Sequence, residues 1–383
     1  MRILHYLSEL KADDLTTSYV SLLVSATKES AEVGVLTQKE RADKRLKEFS
    51  PDILHIHACW NREAASVAAT AREQGVAVVI SPHGGLMPYT MRYEQPTEKL
   101  LKRITFQKTM LEAAEGVLAT SREEGESLRK LGWQDRIGIV PSAILDSTIT
   151  ATDMAAAILK FYTKVIDTRY RRLMTSAERE AVCSLLRIGT APDTENTPIA
   201  GDRMRTLRTL NAAQWQRVML LCHDEDIRHL ADKATAHLLL HVPNINIAEI
   251  DRFPTPLKKA RGPLATDHLL DQNKERSQQL ARLTAKEPLL RRIFTAIENI
   301  QYHHRRNELS LHHLADMFAM LRYEDYDEDR FDYIARTMSS YKQAGRVLQV
   351  LATYFNLEEG FMPIMPCNDK ATQRIIAQIE FVP

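Results

Sequence analysis

The first 140 residues alternate between short apolar runs and longer amphipathic stretches. Runs from Arg2 to Leu7, Ala31 to Thr37, Ile53 to Ala58, Val76 to Ser81, Gly116 to Thr120 and Ile137 to Val140 have the length of strands, and Val76 to Ser81 is β-branched throughout its centre. Between them, stretches near 15–30, 39–49, 61–74, 94–115 and 122–131 read as helices. The last opens with Ser121 and Glu124 at the spacing of a capping box. Such alternation predicts parallel strands joined by crossover helices, a doubly wound sheet. Beyond Thr150 only helical spacing remains. Thr150 and Asp153 read as a capping pair, and 176–188 and 203–241 as helical. Leu290, Ile293, Phe294, Ile297 and Ile300 form one stripe, with further stripes over 311–321 and 341–355. Ala191 to Ala200 and 243–264 read as connections. The expected fold class is α/β plus α. The expected division is 1–145 as the sheet domain, 146–190 as connecting helices and 191–383 as a helical domain.

Glycine usage sharpens that division. Of 13 glycines, eight lie at or before position 138 and five after it, as expected if corners between strands and helices belong to the front. Charge narrows the partners. With 51 Lys and Arg against 50 Asp and Glu, no dominant basic surface for nucleic acid is expected. No apolar run reaches the ~18–20 residues of a membrane span, and the opening run is too short for a secretory leader. A soluble, cytoplasmic protein is the expectation. The cysteines at 59, 183, 222 and 367 form no C-x-x-C pair and suggest neither disulfides nor zinc.

Metal and cofactor signals are thin. His237 and His241 have i, i+4 spacing, but no third ligand stands near them. The doublets His303-His304 and His312-His313 point about 100° apart on a helix. The acidic run Glu324 to Asp329 lacks the glycine of a calcium loop and reads as a connection between helices. Neither metal nor cofactor is expected. The basic clusters Arg169/Arg171/Arg172 and Lys258/Lys259/Arg261 read as solvated faces.

In doubly wound sheets ligands bind beyond the carboxyl ends of the strands. The residues there are Ser8 and Glu9 after the first run, and His55, His57, Cys59 and Trp60 in or after the third. Ser81-Pro82-His83-Gly84-Gly85 follows the fourth, Thr120 to Glu124 the fifth and Pro141-Ser142-Ala143 the sixth. Recurrent histidine near strand ends suits contact with a sugar or phosphate. Equally, His55 fits a satisfied interior position, His57 a strand cap, and Ser121 and Glu124 the cap of a helix.

These segments together resemble glycosyltransferase family 4. Pro51-Asp-Ile-Leu-His-Ile-His resembles its D-x-x-H-x-H strand, and Ser81-Pro-His-Gly-Gly-Leu-Met-Pro-Tyr its S-P-H-G-x-L-x-P-W segment. Leu118-Ala-Thr-Ser-Arg-Glu-Glu and Ile139-Val-Pro-Ser-Ala-Ile resemble its A-T-S-x-x-E and V-I-P-N-G-I segments. The resemblance covers about 1–145. It implies the Rossmann-like, acceptor-side domain of a GT-B enzyme, with sugar transfer from a nucleotide-activated donor to a glycan or lipid-linked acceptor. By the same resemblance His83 is the cleft histidine that contacts the transferred sugar. His57, Gly84, Gly85, Ser8 and Glu9 are the further candidates for sugar or nucleotide binding. The Arg/Lys pair and the E-x7-E element of the donor half have no counterpart after Pro141. A non-catalytic binding protein of a polysaccharide-assembly complex, docking a protein partner through its helices, is therefore the alternative.

Overall fold

Six strands form one all-parallel sheet in a computed structural model of the chain, which describes residues 1–168, 174–193, 199–253, 274–306 and 308–379. They are β1 (Arg2–Leu7), β2 (Glu32–Thr37), β3 (Ile53–Ile56), β4 (Ala77–Ile80), β5 (Gly116–Ala119) and β6 (Ile137–Ile139), in the order β2-β1-β3-β4-β5-β6. β3, β4 and β5 are buried along their whole length, which is why they read as apolar runs, broken only by His55 in β3. Helices α1 (Leu15–Thr27), α2 (Ala42–Phe49) and α3 (Arg62–Glu73) make the first crossovers. The stretch expected as one helix over 94–115 is broken into pieces. α4 (Pro88–Tyr93) and α5 (Pro96–Lys102) each begin on a proline, and Gln95 between them is left-handed, with φ 47°. A π-turn over Arg103–Gln107 then leads into α6 (Lys108–Glu112). After β5 and β6 come α7 (Arg122–Leu131) and α8 (Ala151–Asp167).

The two-residue period of a strand sorts the sheet's faces. Leu4, Tyr6, Leu54, Ile56, Val78 and Ile80 point to one face and join the apolar core there. Their neighbours His5, His55, His57 and Ser81 therefore point to the other. His5 and His55 are register partners on adjacent strands. α1 and α8 pack on each other, and Phe161 and Tyr162 of α8 lie against this second face. The sheet is tailored to α8: a Cβ added to Gly138 would lie 2.4 Å from the Phe161 ring.

The chain forms two compact units. Residues 1–168 belong to the first, together with 250–253, which return to it. Phe253 is buried there beneath the Arg136 guanidinium and the Lys164 ammonium, 4.5 and 4.7 Å from its ring centre, and Asp251 pairs with Lys164 at 2.7 Å.

The second unit's described residues carry ten α-helices, two single 3-10 turns and no strand. The α-helices are α9 (Ser176–Thr190), α10 (Gly201–Thr209), α11 (Ala212–Asp224), α12 (Arg228–His237), α13 (Lys274–Leu283), α14 (Pro288–Arg305), α15 (Leu311–Tyr323), α16 (Glu328–Thr337), α17 (Tyr341–Phe355) and α18 (Lys370–Ile379). The stripes expected on 287–300, 311–321 and 341–355 are buried together in one core. The stretch 203–241 is three helices. Asn211 caps α11, with Gln214 returning the bond, and Asp226 turns left-handed before α12. α12 ends at His237, and Leu239 is left-handed, so His237 and His241 do not share a helix face. The clusters at 169–172 and 258–261 lie outside the described residues. No described helix is long and apolar enough to cross a membrane.

Candidate functional site

A pocket of about 280 Å³ opens at the carboxyl ends of the first unit's strands. Leu15, Met87, Ile144 and Leu145 form its apolar wall. Thr16, Thr120, Ser121 and Ser142 supply hydroxyls, and Tyr19, whose own hydroxyl is buried, His83, Gly84 and Glu124 complete it. No lysine or arginine is among its described lining residues.

The loop after β4 places His83. Gly85 N–H donates to the Pro82 carbonyl at 3.0 Å, closing a turn whose two central residues are both left-handed, His83 at φ 49° and Gly84 at φ 79°. Glycine adopts this backbone freely. A histidine held there costs about 1–3 kcal/mol and needs surrounding contacts to keep it. Two contacts do so. His83 Nε2 meets His57 Nδ1 at 3.0 Å, and Gly84 N–H donates to Glu124 Oε1 at 2.6 Å.

Glu124 ties this loop to the next. It is buried, and its other oxygen accepts from the Thr120 amide at 2.8 Å and the Thr120 hydroxyl at 2.9 Å. Ser121 caps α7 by accepting from the Glu124 amide, as its spacing predicts. The return bond expected to the Ser121 amide is not made. The carboxylate reaches past it to Thr120 and Gly84, 40 positions away in the chain. A local capping rule does not see that contact, so sequence reasoning placed Glu124 outside the site.

Behind the pocket lies a buried set of imidazoles. His5 Nδ1 meets His57 Nε2 at 2.9 Å, and His57 in turn meets His83. His55 stands beside them, its ring centre 3.9 Å from that of His57. Proton placement on His55 follows from its neighbours. Ser81 donates its hydroxyl proton to the Leu118 carbonyl, so it accepts from His55 Nε2–H at 2.8 Å. His55 Nδ1 then accepts from the Tyr162 hydroxyl at 2.5 Å. Burial keeps the set uncharged. It lowers His5 to about 3, holds His55 and His57 well below the usual range, and lowers His83 to about 4 against the opposing pull of Glu124 and Asp14.

One nitrogen from each of His5, His55 and His57 lies within 4.8 Å of the others, the spacing of a metal-ligand set. Both ring nitrogens of His55 and both of His57 are already engaged in hydrogen bonds, however. In this trio only His5 Nε2 is without a partner among the described residues. The donor set is that of a hydrogen-bonded chain.

The remaining candidates fall in different places. His83 and Gly84 line the pocket, and His57 supports His83 from below, 5% exposed. Gly85 faces inward: a Cβ there would lie 2.1 Å from Cys59 Sγ, and its carbonyl accepts from the Trp60 indole. Burial pushes the Cys59 thiol up to about 12, which keeps it protonated. Ser8 accepts from Asn61, the cap of α3, and Glu9 is an exposed partner of Lys11. Neither Ser8 nor Glu9 lines the pocket. Sequence reasoning missed His5, Tyr19 and Glu124. Two histidines on runs of strand length were the available signal for His5, but the register that joins them was not.

Residues 18–143 match the family described as the glycosyl transferase 4-like domain. The first unit thus carries a glycosyl transferase 4-like domain, and the chain is glycosyltransferase-like over that segment. No curated protein and no solved structure matches the chain.

Proposed function

We propose that the first unit binds a sugar or glycan in this pocket, as the acceptor-side domain of a sugar transfer. The carrying observation is the lining. Hydroxyls, a carboxylate and an uncharged imidazole surround an apolar wall, with no cation among the described residues. That set suits the hydroxyl groups of a neutral sugar. A diphosphate calls for Arg, Lys or backbone clamps instead. The family likeness supports transfer from a nucleotide-activated donor to a glycan or lipid-linked acceptor. His83 is the candidate for holding the reacting sugar in place. His57 supports it, and Gly84 lets the backbone approach the ligand.

A second reading has its own observation. The described residues of the second unit contain no strand, whereas the GT-B architecture places the donor nucleotide on a second sheet domain. A glycosyltransferase-like protein that binds a glycan without transferring sugar, and docks a partner of polysaccharide assembly through its helices, fits that arrangement.

Titration calorimetry with glucose, galactose, mannose and N-acetylglucosamine, and separately with UDP-, GDP-, ADP- and CMP-sugars, tests both readings. A neutral sugar that binds wild type and is weakened about tenfold or more by His83→Ala supports the pocket assignment. Release of nucleotide from one donor in the presence of that sugar supports transfer. Binding without release supports the second reading. Binding unchanged by His83→Ala removes the pocket assignment.

A further inference from the structure

Three imidazoles in a line leave a question that the pocket lining does not answer: which nitrogen of His83 carries its proton. We propose that His5 and His57 are positioning residues that lock His83 in its Nδ1–H form, so that it meets the pocket's ligand as a hydrogen-bond donor and not as a general base. The inference rests on the sugar-binding reading above and deepens it.

His5 and His57 are buried, His83 is half-buried at the pocket wall, and all three are held uncharged, so each carries one N–H. The contacts His5 Nδ1 to His57 Nε2 and His57 Nδ1 to His83 Nε2 need one proton each. Only two arrangements satisfy both. In one, His5 donates to His57, His57 donates to His83, and the third proton sits on His83 Nδ1. In the other, every bond is reversed, His83 Nδ1 is a bare lone pair, and the third proton sits on His5 Nε2.

Two observations separate them. His5 Nε2 is buried without a partner among the described residues. The reversed arrangement would put an orphaned N–H there, the rarer kind of buried defect, and the forward one leaves a bare acceptor. The surrounding field agrees. Glu124 and Asp14 are the carboxylates whose charge acts on His83. Neutral rings turn the N–H end of their dipoles toward negative charge, which directs the protons outward along the line. His55 does not disturb the count, because its own proton is committed to Ser81. The ligand group opposite His83 is therefore an oxygen with a free lone pair, such as a sugar hydroxyl, a ring oxygen or an N-acetyl carbonyl.

The test reads the ring nitrogens directly. In full-length protein labelled with 15N in histidine, long-range 1H–15N correlation, assigned by comparison with His83→Gln, distinguishes protonated from unprotonated nitrogens. The expected result is protonated Nδ1 and unprotonated Nε2 on His83. Protonated Nε2 overturns the proposal. His57→Gln, whose amide still donates to His83 Nε2, is expected to keep the signature and to bind within about threefold of wild type. His57→Leu is expected to lose the fixed form and to bind the best monosaccharide of the panel about tenfold more weakly. A His57→Leu protein with the wild-type signature also overturns it. Because the spectrum is read without any sugar, the outcomes separate. The expected signature without sugar binding defeats only the sugar reading, and sugar binding with protonated Nε2 defeats only this one.

Discussion

The two units bury polar groups in opposite ways. In the helical unit two buried carboxylates, Glu178 and Glu225, close upon partners within that unit. Glu178 and Arg217 pair at 2.6 Å with 0% and 6% of their side chains exposed, and Glu178 also takes the Thr175 amide to cap α9. Glu225 likewise accepts from the Leu311 amide, binding the start of α15. In the sheet unit the line from His5 through His57 to His83 runs from the interior to a pocket wall and ends there. Closed pairs specify a fold, whereas a line that ends at a cavity has a second partner to find. The helical unit's buried charges are thus explained by its architecture. The sheet unit's imidazoles, one of them on a strained backbone, are what the proposed sugar site would use.

Acid is expected to break the contrast most sharply. The folded-state values of the buried imidazoles lie below their unfolded value near 6.5, so between that value and the folded one the unfolded chain binds more protons. Stability is then full above about pH 6.5 and falls as the pH drops through the window toward 3 to 4. At about 1.4 kcal/mol per pH unit, His5 alone accounts for about 5 kcal/mol. Amide exchange at β1 and β3, followed downward from about pH 7, is expected to accelerate steeply, with a shallower rise in His5→Phe. A flat profile in wild type would mean that these rings are charged or solvated.

The closed pair is expected to matter next, and for stability alone. Arg217→Ala strands a buried carboxylate and is expected to cost about 3–5 kcal/mol in denaturant unfolding. Sugar affinity measured below the unfolding transition is expected to stay unchanged. A loss of affinity in the folded variant would blur the division between the units.

The smallest expected effect concerns the turn. Gly85→Ala forces a methyl onto Cys59 and is expected to cost about 1–3 kcal/mol. Cys59→Ala in the same protein is expected to recover most of it, as read by a double-mutant cycle. No recovery would mean that the backbone of Gly85, not its missing side chain, is what the turn requires.

Much of this was legible in the residues. The six strands were, because each is a short, mostly apolar run between helical stretches, and the helical stripes after 287 were, because each buries one side. The breaks were harder. Asn211 with Gln214 is a capping signal inside a stretch that otherwise reads as continuous helix, and the left-handed Gln95 is not encoded by any glycine. At the site, His83 and His57 stood out by their place at strand ends. His5 and Glu124 did not, since their partners are 52 and 40 positions away and only the register of the sheet brings them together. Ser8 and Glu9 occupy the expected end of β1, but they turn to Asn61 and Lys11.

The return of residues 250–253 to the sheet unit sets an order of events during synthesis. Arg136 and Lys164 leave the ribosome long before Phe253, the ring they enclose. At about 5–20 residues per second, the intervening stretch takes on the order of ten seconds to emerge. For that time the seat of Phe253 in the nascent sheet unit is unfilled, while α9 to α12 emerge in turn. The two units therefore mature in an interleaved fashion, and the front of the protein is finished by a piece of chain made after much of the back.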